Sequence, residues 1–278
     1  APLATLHLAP RSRLGYRYWL VVGTAATMAP RLDALIAKYA DERVGLVGAA
    51  NREDFFTPAR DKKGMRAEPD TIDESLPNVL ILGDSISIAY TIPVRKGLAG
   101  KANVFRPKAN CGSTVAGREH LEQWLGTRKW DVIHFNWGLH DLCYRHPDAK
   151  TQGNRDKVKG TQSVPPEAYE RNLEALVKRL EATGAALVWA STTIVPEGEV
   201  GRHVGDDVKY NEIAARIMAR HGIPTDDLHA VSKSFEGKHS SGPGDVHFNA
   251  EGSRKLADSV VASIEAALEK RVATNPAN

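Results

Sequence analysis

Residues able to do chemistry together fall at four places along the chain. The first is Gly83-Asp84-Ser85-Ile86, which follows the apolar run Val79-Leu80-Ile81-Leu82 and precedes a helical pattern. Ser85 is thereby expected at a strand end and a helix start. Free backbone N–H groups and a partial positive potential at a helix N-terminus favour an oxyanion forming beside a serine. Taken alone, these residues suit a helix-capping serine better than a nucleophile. The second place is Asn110-Cys111-Gly112-Ser113-Thr114, where Gly112 can offer its backbone N–H to an oxyanion with no side chain in the way. An ordinary strand-to-helix turn reads the same. The third is Asn136-Trp137-Gly138-Leu139-His140-Asp141, which sets a histidine after another apolar run, Val132-Ile133-His134-Phe135. A loop histidine bonded to backbone is the plainer alternative.

The fourth is Asp245-Val246-His247-Phe248. A loop histidine can take the proton of a serine that lies far away in sequence. A carboxylate two residues earlier can orient the imidazole if the stretch is extended, because residues i and i+2 then point the same way. Together, Ser85, His247 and Asp245 carry the types needed for nucleophilic acyl transfer.

These residues need a scaffold that gathers strand ends. Short apolar runs at Val79–Leu82, Asn103–Phe105, Val132–Phe135 and Ala186–Ala190 read as strands buried on both faces, and a weaker fifth falls within 223–228. Helical patterns lie between them. Pro166 to Glu181 carries Tyr169, Leu173, Leu176, Val177 and Leu180 on one face, followed by Gly184. Asp206 or Asp207 is placed to cap a helix running to Gly222, and Asn249 to cap a last helix with Leu256, Val260, Ile264 and Leu268 in line. Such alternation implies a parallel sheet covered by helices on both faces, with the reaction site at the carboxyl ends of the strands.

The order and placement of the four motifs resemble the four conserved blocks of the SGNH (GDSL-type) serine hydrolases, over roughly residues 78 to 270. The stretch from Trp130 to Asp141 looks like a particular bacterial branch with His in place of the block III Asn. The resemblance implies a three-layer α/β/α fold with a central, roughly five-stranded parallel sheet, flavodoxin-like in outline. It implies Ser85 as nucleophile, His247 as general base and Gly112 as an oxyanion donor beside the Ser85 N–H. Where the family has Asn as the third donor this chain has His140, whose neutral imidazole N–H can donate in its stead. Where the family has Asp three residues before the base this chain has Gly244, and the acid is displaced to Asp245. Either Asp245 completes a triad or the site is a Ser–His dyad oriented by a backbone carbonyl.

The expected reaction is hydrolysis of a short-chain ester, acetyl above all, on a carbohydrate. Trp137, Trp189 and Glu197 near strand ends are candidate sugar contacts, and core packing is the alternative for both tryptophans. A lysophospholipase or thioesterase of the same family is the nearest alternative, then a non-catalytic glycan-binding module on the same fold. A flavodoxin-like nucleotide binder ranks last, since the first loop offers one glycine where a phosphate cradle needs several. No metal and no cofactor are expected, because the histidines and cysteines do not have ligand spacing. The expected partner is a small-molecule or glycan ester.

The rest of the 278 residues bounds these readings. A net charge of +3 with no run of five or more Lys/Arg gives nucleic-acid binding little support. No apolar stretch reaches 18 residues, so no membrane span is expected. The two cysteines, Cys111 and Cys143, are too few for a disulfide scaffold and read as buried thiols in preference to a bridge. Ala1 to Pro10 lack the pattern of a secretory leader, and a periplasmic or secreted setting is compatible with the sequence without being implied by it. Residues 1–75 contain a strand-like Arg17–Val22, a helical pattern opening at Pro30 and a polar stretch over 51–76. They are expected to be an extension packing on the main domain, or the tail of another domain, with the hydrolase domain at 76–278.

Overall fold

A computed structural model describes residues 67–149 and 154–274. The strand and helix expected within 17–39 lie outside the described residues. From Asn78 onward the chain runs β1 (Asn78–Leu82), α1 (Ser85–Gly97), β2 (Asn103–Phe105), α2 (Thr114–Leu125) and β3 (Val132–Phe135). A small antiparallel pair follows, β4 (Tyr144–Arg145) with β5 (Thr161–Gln162), and then α3 (Pro166–Glu181) and β6 (Ala186–Ala190). The chain ends with α4 (Asp206–His221), β7 (Thr225–Asp226), α5 (Leu228–Lys233) and α6 (Ala250–Thr274).

The main sheet has five parallel strands in the order β2-β1-β3-β6-β7. Its strands are apolar throughout because both faces are covered: α1 packs against α6 on one side, and α2, α3 and α4 pack in series on the other. Chain order reverses between β1 and β3, which are neighbours in register from Val79↔Val132 to Leu82↔Phe135. Ligands in open α/β sheets bind outside the carboxyl ends of the strands at such a reversal. The five strand runs expected from Val79 onward are present, the weak fifth as Thr225–Asp226.

α3 shows how pattern becomes packing. Pro166 opens it with φ already helical, and Tyr169, Leu173, Leu176, Val177 and Leu180 form its buried stripe. Each such side chain contributes about 1.5–3 kcal/mol relative to exposure, before entropy is counted. The start of α4 differs from expectation. Gly205 stands at the N-cap without a side-chain bond, and Asp206 and Asp207 lie in the first turn. Asp207 Oδ1 instead accepts from the Gly205 N–H, so the acid caps backward from inside the helix. Asn249 does cap α6, its Oδ1 accepting from Gly252 N at 2.9 Å. Among the described residues no helix is long and apolar enough to cross a membrane. Cys111 and Cys143 are both buried and free.

Candidate active site

Ser85 is the first residue of α1, three residues beyond the end of β1 at Leu82. Asp84 caps the helix, its Oδ1 accepting from Ile86 N at 2.9 Å. The turn must be tight: a Cβ on Gly83 would lie 2.9 Å from both Cβ and Oγ of Ser87, closer than side chains approach. The serine hydroxyl is thus presented at the helix N-terminus and half-exposed, while Asp84 beneath it is buried.

His247 reaches it from a loop 162 residues away: Ser85 Oγ and His247 Nε2 are 2.7 Å apart. The other ring nitrogen, Nδ1, is 2.6 Å from Asp245 Oδ1. The same Oδ1 accepts from the His247 backbone N–H at 3.0 Å, so the Asp245–His247 stretch forms an Asx turn, and the carboxylate meets the ring by that route and not through an extended segment. The carboxylate reaches the ring by folding back onto its own backbone. Burial pushes the Asp245 carboxyl up, but the bonds and charge of His247, with Arg155 nearby, outweigh it and hold the group below the usual carboxylate range.

The family's acid position, Gly244, has its own reason to be glycine. Its φ is +67°, and a Cβ there would lie 2.6 Å from Gly198 O and 2.7 Å from Gly198 C. The loop that bears His247 therefore rests backbone-to-backbone on the loop that leads from Gly198 to Arg202.

The two remaining loops are tied together beneath the serine. Cys111 N donates to Gly83 O at 3.2 Å, and Trp137 Nε1 to Cys111 O at 3.3 Å. Asp141 Oδ1 accepts from the N–H and hydroxyl of Thr114 at the start of α2, joining the His140 loop to the Gly112 loop. Complete burial raises the Asp141 carboxyl to about 7, against the lowering effect of the Thr114 bonds. Arg202 holds the His140 loop from the other side, its Nε donating to Leu139 O at 2.8 Å.

His140 Nδ1 lies 3.9 Å from where a Cβ on Gly112 would stand, so ring and glycine flank one another. Among the described residues nothing hydrogen-bonds the His140 ring, which faces the cleft. Burial lowers its pKa, and the positive charges of Arg202, Arg145 and His247 add to this against the opposing effect of Asp84. The imidazole is therefore held neutral at neutral pH. The Gly112 N–H points to Asn110 Oδ1 at 3.0 Å, so donating it elsewhere requires that side chain to share or to turn away.

A cleft of about 570 Å3 contains Ser85, His247, Asp245 and His140. Three arginines from outside the four motifs also line it: Arg145 in β4, Arg155, and Arg202. No sequence signal marked them, because loop residues carry no periodicity and only the fold brings them to one wall. The expected sugar contacts are corrected. Trp137 and Trp189 are 0% and 1% exposed, packed in the core by their strand-end positions, and neither lines the cleft. Glu197 is exposed and also stands off the cleft.

The five-stranded parallel sheet with helices on both faces, and a loop cluster at its carboxyl edge, define the SGNH hydrolase class of α/β fold. The family model of GDSL-like lipases and acylhydrolases matches residues 81–255, well over half the chain. The chain belongs to that family. Similar solved structures include the acetyl xylan esterase AlAXEase, at 16% identity and a TM-score of 0.55, covering 67% of this chain and 99% of that one. A lipase/acylhydrolase from Enterococcus faecalis matches at 16% and 0.55, covering 69% and 96%. Axe2, an acetylxylan esterase from Geobacillus stearothermophilus, matches at 16% and 0.55, covering 68% and 94%. No curated protein sequence matches the chain.

Proposed function

We propose that the protein is a serine esterase that removes short acyl groups, acetyl above all, from a carbohydrate through an acyl-enzyme on Ser85. The hydrogen-bonded chain Ser85 Oγ–His247 Nε2, His247 Nδ1–Asp245 Oδ1 carries this reading. His247 takes the Ser85 proton as Oγ attacks the ester carbonyl, and Asp245 steadies the imidazolium that forms. The oxyanion is met by the N–H groups of Ser85 and Gly112 and by the neutral His140 ring. His247 then gives its proton to the departing alcohol. Water, deprotonated by the same ring, resolves the acyl-enzyme and restores Ser85.

Two observations favour a short acyl group on a polar alcohol. The cleft is lined by charged side chains, and its apolar share is limited to Leu139, Val200, Pro243 and Val246, too little surface for a long acyl chain. Two of the similar folds are acetylxylan esterases.

The test is acetate release from a panel of acetylated glycans, with 4-nitrophenyl acetate as a general ester. Ser85→Ala should lower turnover by roughly a thousandfold or more while leaving the fold intact, because the members of such a site act as a unit. A serine-directed phosphonate should label Ser85 alone. Full activity in Ser85→Ala, or labelling elsewhere, overturns the proposal.

A further inference from the structure

One wall of the cleft is built around a buried carboxylate shared by two arginines. Glu199 is 1% exposed. Its Oε1 accepts from Arg155 Nη1 at 2.6 Å and from Arg202 Nη1 at 3.0 Å, and its Oε2 accepts from Gly201 N at 2.6 Å. Two guanidinium groups thus share one carboxylate oxygen, a local excess of one positive charge on this wall, while the carboxylates of Asp84 and Asp245 line the cleft on the side of Ser85 and His247. Arg202 spends its Nε on Leu139 O, and among the described residues neither its Nη2 nor the Nε and Nη2 of Arg155 has a partner. Both arginines line the cleft. The Arg155 side chain is about one-third exposed and Arg202 nearly buried, so Arg155 stands nearer the solvent and Arg202 deeper in the wall. Arg145, whose Nε donates to Ser163 Oγ, stands in the same lining.

The position of this cluster says which part of an ester it meets. In the esterase reading, on which this inference rests, His247 protonates the leaving alcohol, so the alcohol must lie on the His247 side of the serine. That side is where Gly244 packs on Gly198, the start of the segment that carries Glu199 and Arg202. Arg155 is also close enough to Asp245 for its charge to bear on that carboxyl. Guanidinium forks match planar or tetrahedral oxyanions with two parallel bonds, and a neutral hydroxyl gains far less from them.

We infer that the alcohol part of the substrate carries an anionic group, a carboxylate or a sulfate, that seats on Arg155 and Arg202 beside the acylated hydroxyl. The substrate class is therefore an acylated acidic sugar.

The experiment compares kcat/KM on acetylated neutral xylo-oligosaccharides, acetylated oligogalacturonates and acetylated sulfated oligosaccharides. Wild type should prefer at least one anionic ester by about ten- to a hundredfold, the range expected for a charge-assisted pair in a half-open cleft. The preference should shrink at 0.5 M salt, since exposed charges are screened there. Whichever anionic arm is faster identifies the source of the charge. Arg155→Gln should lose most of the preference through KM, Arg155→Lys should keep part of it, and Arg155→Glu should invert it. Melting curves of the three variants check folding, and wild type alone suffices if any of them fails to fold. Equal rates on neutral and anionic esters, with hydrolysis still dependent on Ser85, overturn this inference and leave the esterase reading standing. Hydrolysis of none of the esters, 4-nitrophenyl acetate included, overturns both.

Discussion

Asp245→Asn isolates the charge of the acid from its geometry, because of the way Asp245 is held. In most triads an Asn in this place can turn its NH2 toward the imidazole and trap the wrong tautomer, at a cost of about ten-thousandfold in turnover. Here Oδ1 serves two donors at once, the His247 backbone N–H and ring Nδ1. An Asn that keeps the backbone bond must aim its carbonyl at the ring, so the tautomer is preserved and only the negative charge is lost. The worth of that charge follows from exposure. The Asp245 and His247 side chains are 41% and 43% exposed, so the pair sits between bulk water and a protein interior. Unit charges about 4 Å apart attract by about 1 kcal/mol in water and about 4 kcal/mol at a surface-like effective dielectric. An intermediate value of roughly 2–3 kcal/mol corresponds to a fall in kcat of about 30- to 200-fold. Asp245→Ala, which also frees the ring to rotate, should lose at least as much. Steady-state kcat on 4-nitrophenyl acetate measures the loss, and 15N shifts of the His247 ring report the tautomer. A ten-thousandfold loss with an inverted tautomer would refute the Asx-turn reasoning. Near-normal turnover would remove Asp245 from the mechanism and leave a Ser–His dyad.

Three further outcomes are expected. His140→Ala should lower kcat by about a hundred- to a thousandfold with KM little changed, and His140→Asn should recover part of the loss; a tenfold rise in KM at constant kcat would make His140 a substrate contact instead. The Asp141 carboxyl, raised to about 7, holds its proton more tightly in the folded state than in the unfolded one. The stability this contributes is full below about pH 4 and lost as pH rises through about 7, so the unfolding free energy of wild type relative to Asp141→Asn should fall by a few kcal/mol over that window; a flat difference in denaturant titrations from pH 4 to 8 would contradict it. Chains starting at Ala67 and at Asp73 should both hydrolyse a small ester if residues 1–75 supply no chemistry, but the shorter one loses the bond from Arg106 N to Ala67 O and should melt lower.

The scaffold was legible in the sequence because burial on both faces writes itself as continuous apolar runs, and because the α3 stripe repeats with the helical period. Ser85 and His247 were legible for a different reason. Both belong to short motifs whose neighbours, Gly83 and Asp245, are constrained by the turn that presents them. The two tryptophans misled because a large aromatic at a strand end reads the same whether its ring turns into the core or out to solvent. Packing decides that, and Trp137 and Trp189 both turn in. The arginine wall was invisible for the converse reason. Arg145, Arg155 and Arg202 are scattered over loops and a two-residue strand, and only the fold brings all three to one cleft and two of them to Glu199.

The contact between Gly244 and Gly198 bears on how this protein can vary. The segment holding His247 and the segment holding Glu199 and Arg202 meet without side chains between them, like two plates sharing a bearing. A change of substrate through insertions or bulky residues in 198–202 must displace the ring as well, so recognition and rate are not separately adjustable along that edge. Arg155 lies on a different stretch of chain, which is joined to the same segment by the bond from Lys157 N to Val200 O and by Arg155 Cβ against Gly201, and its guanidinium reaches Glu199. Replacement of Arg155 leaves the Gly244–Gly198 contact in place but takes one of two guanidinium partners from the buried Glu199, so a change of charge there also bears on the loop it rests against.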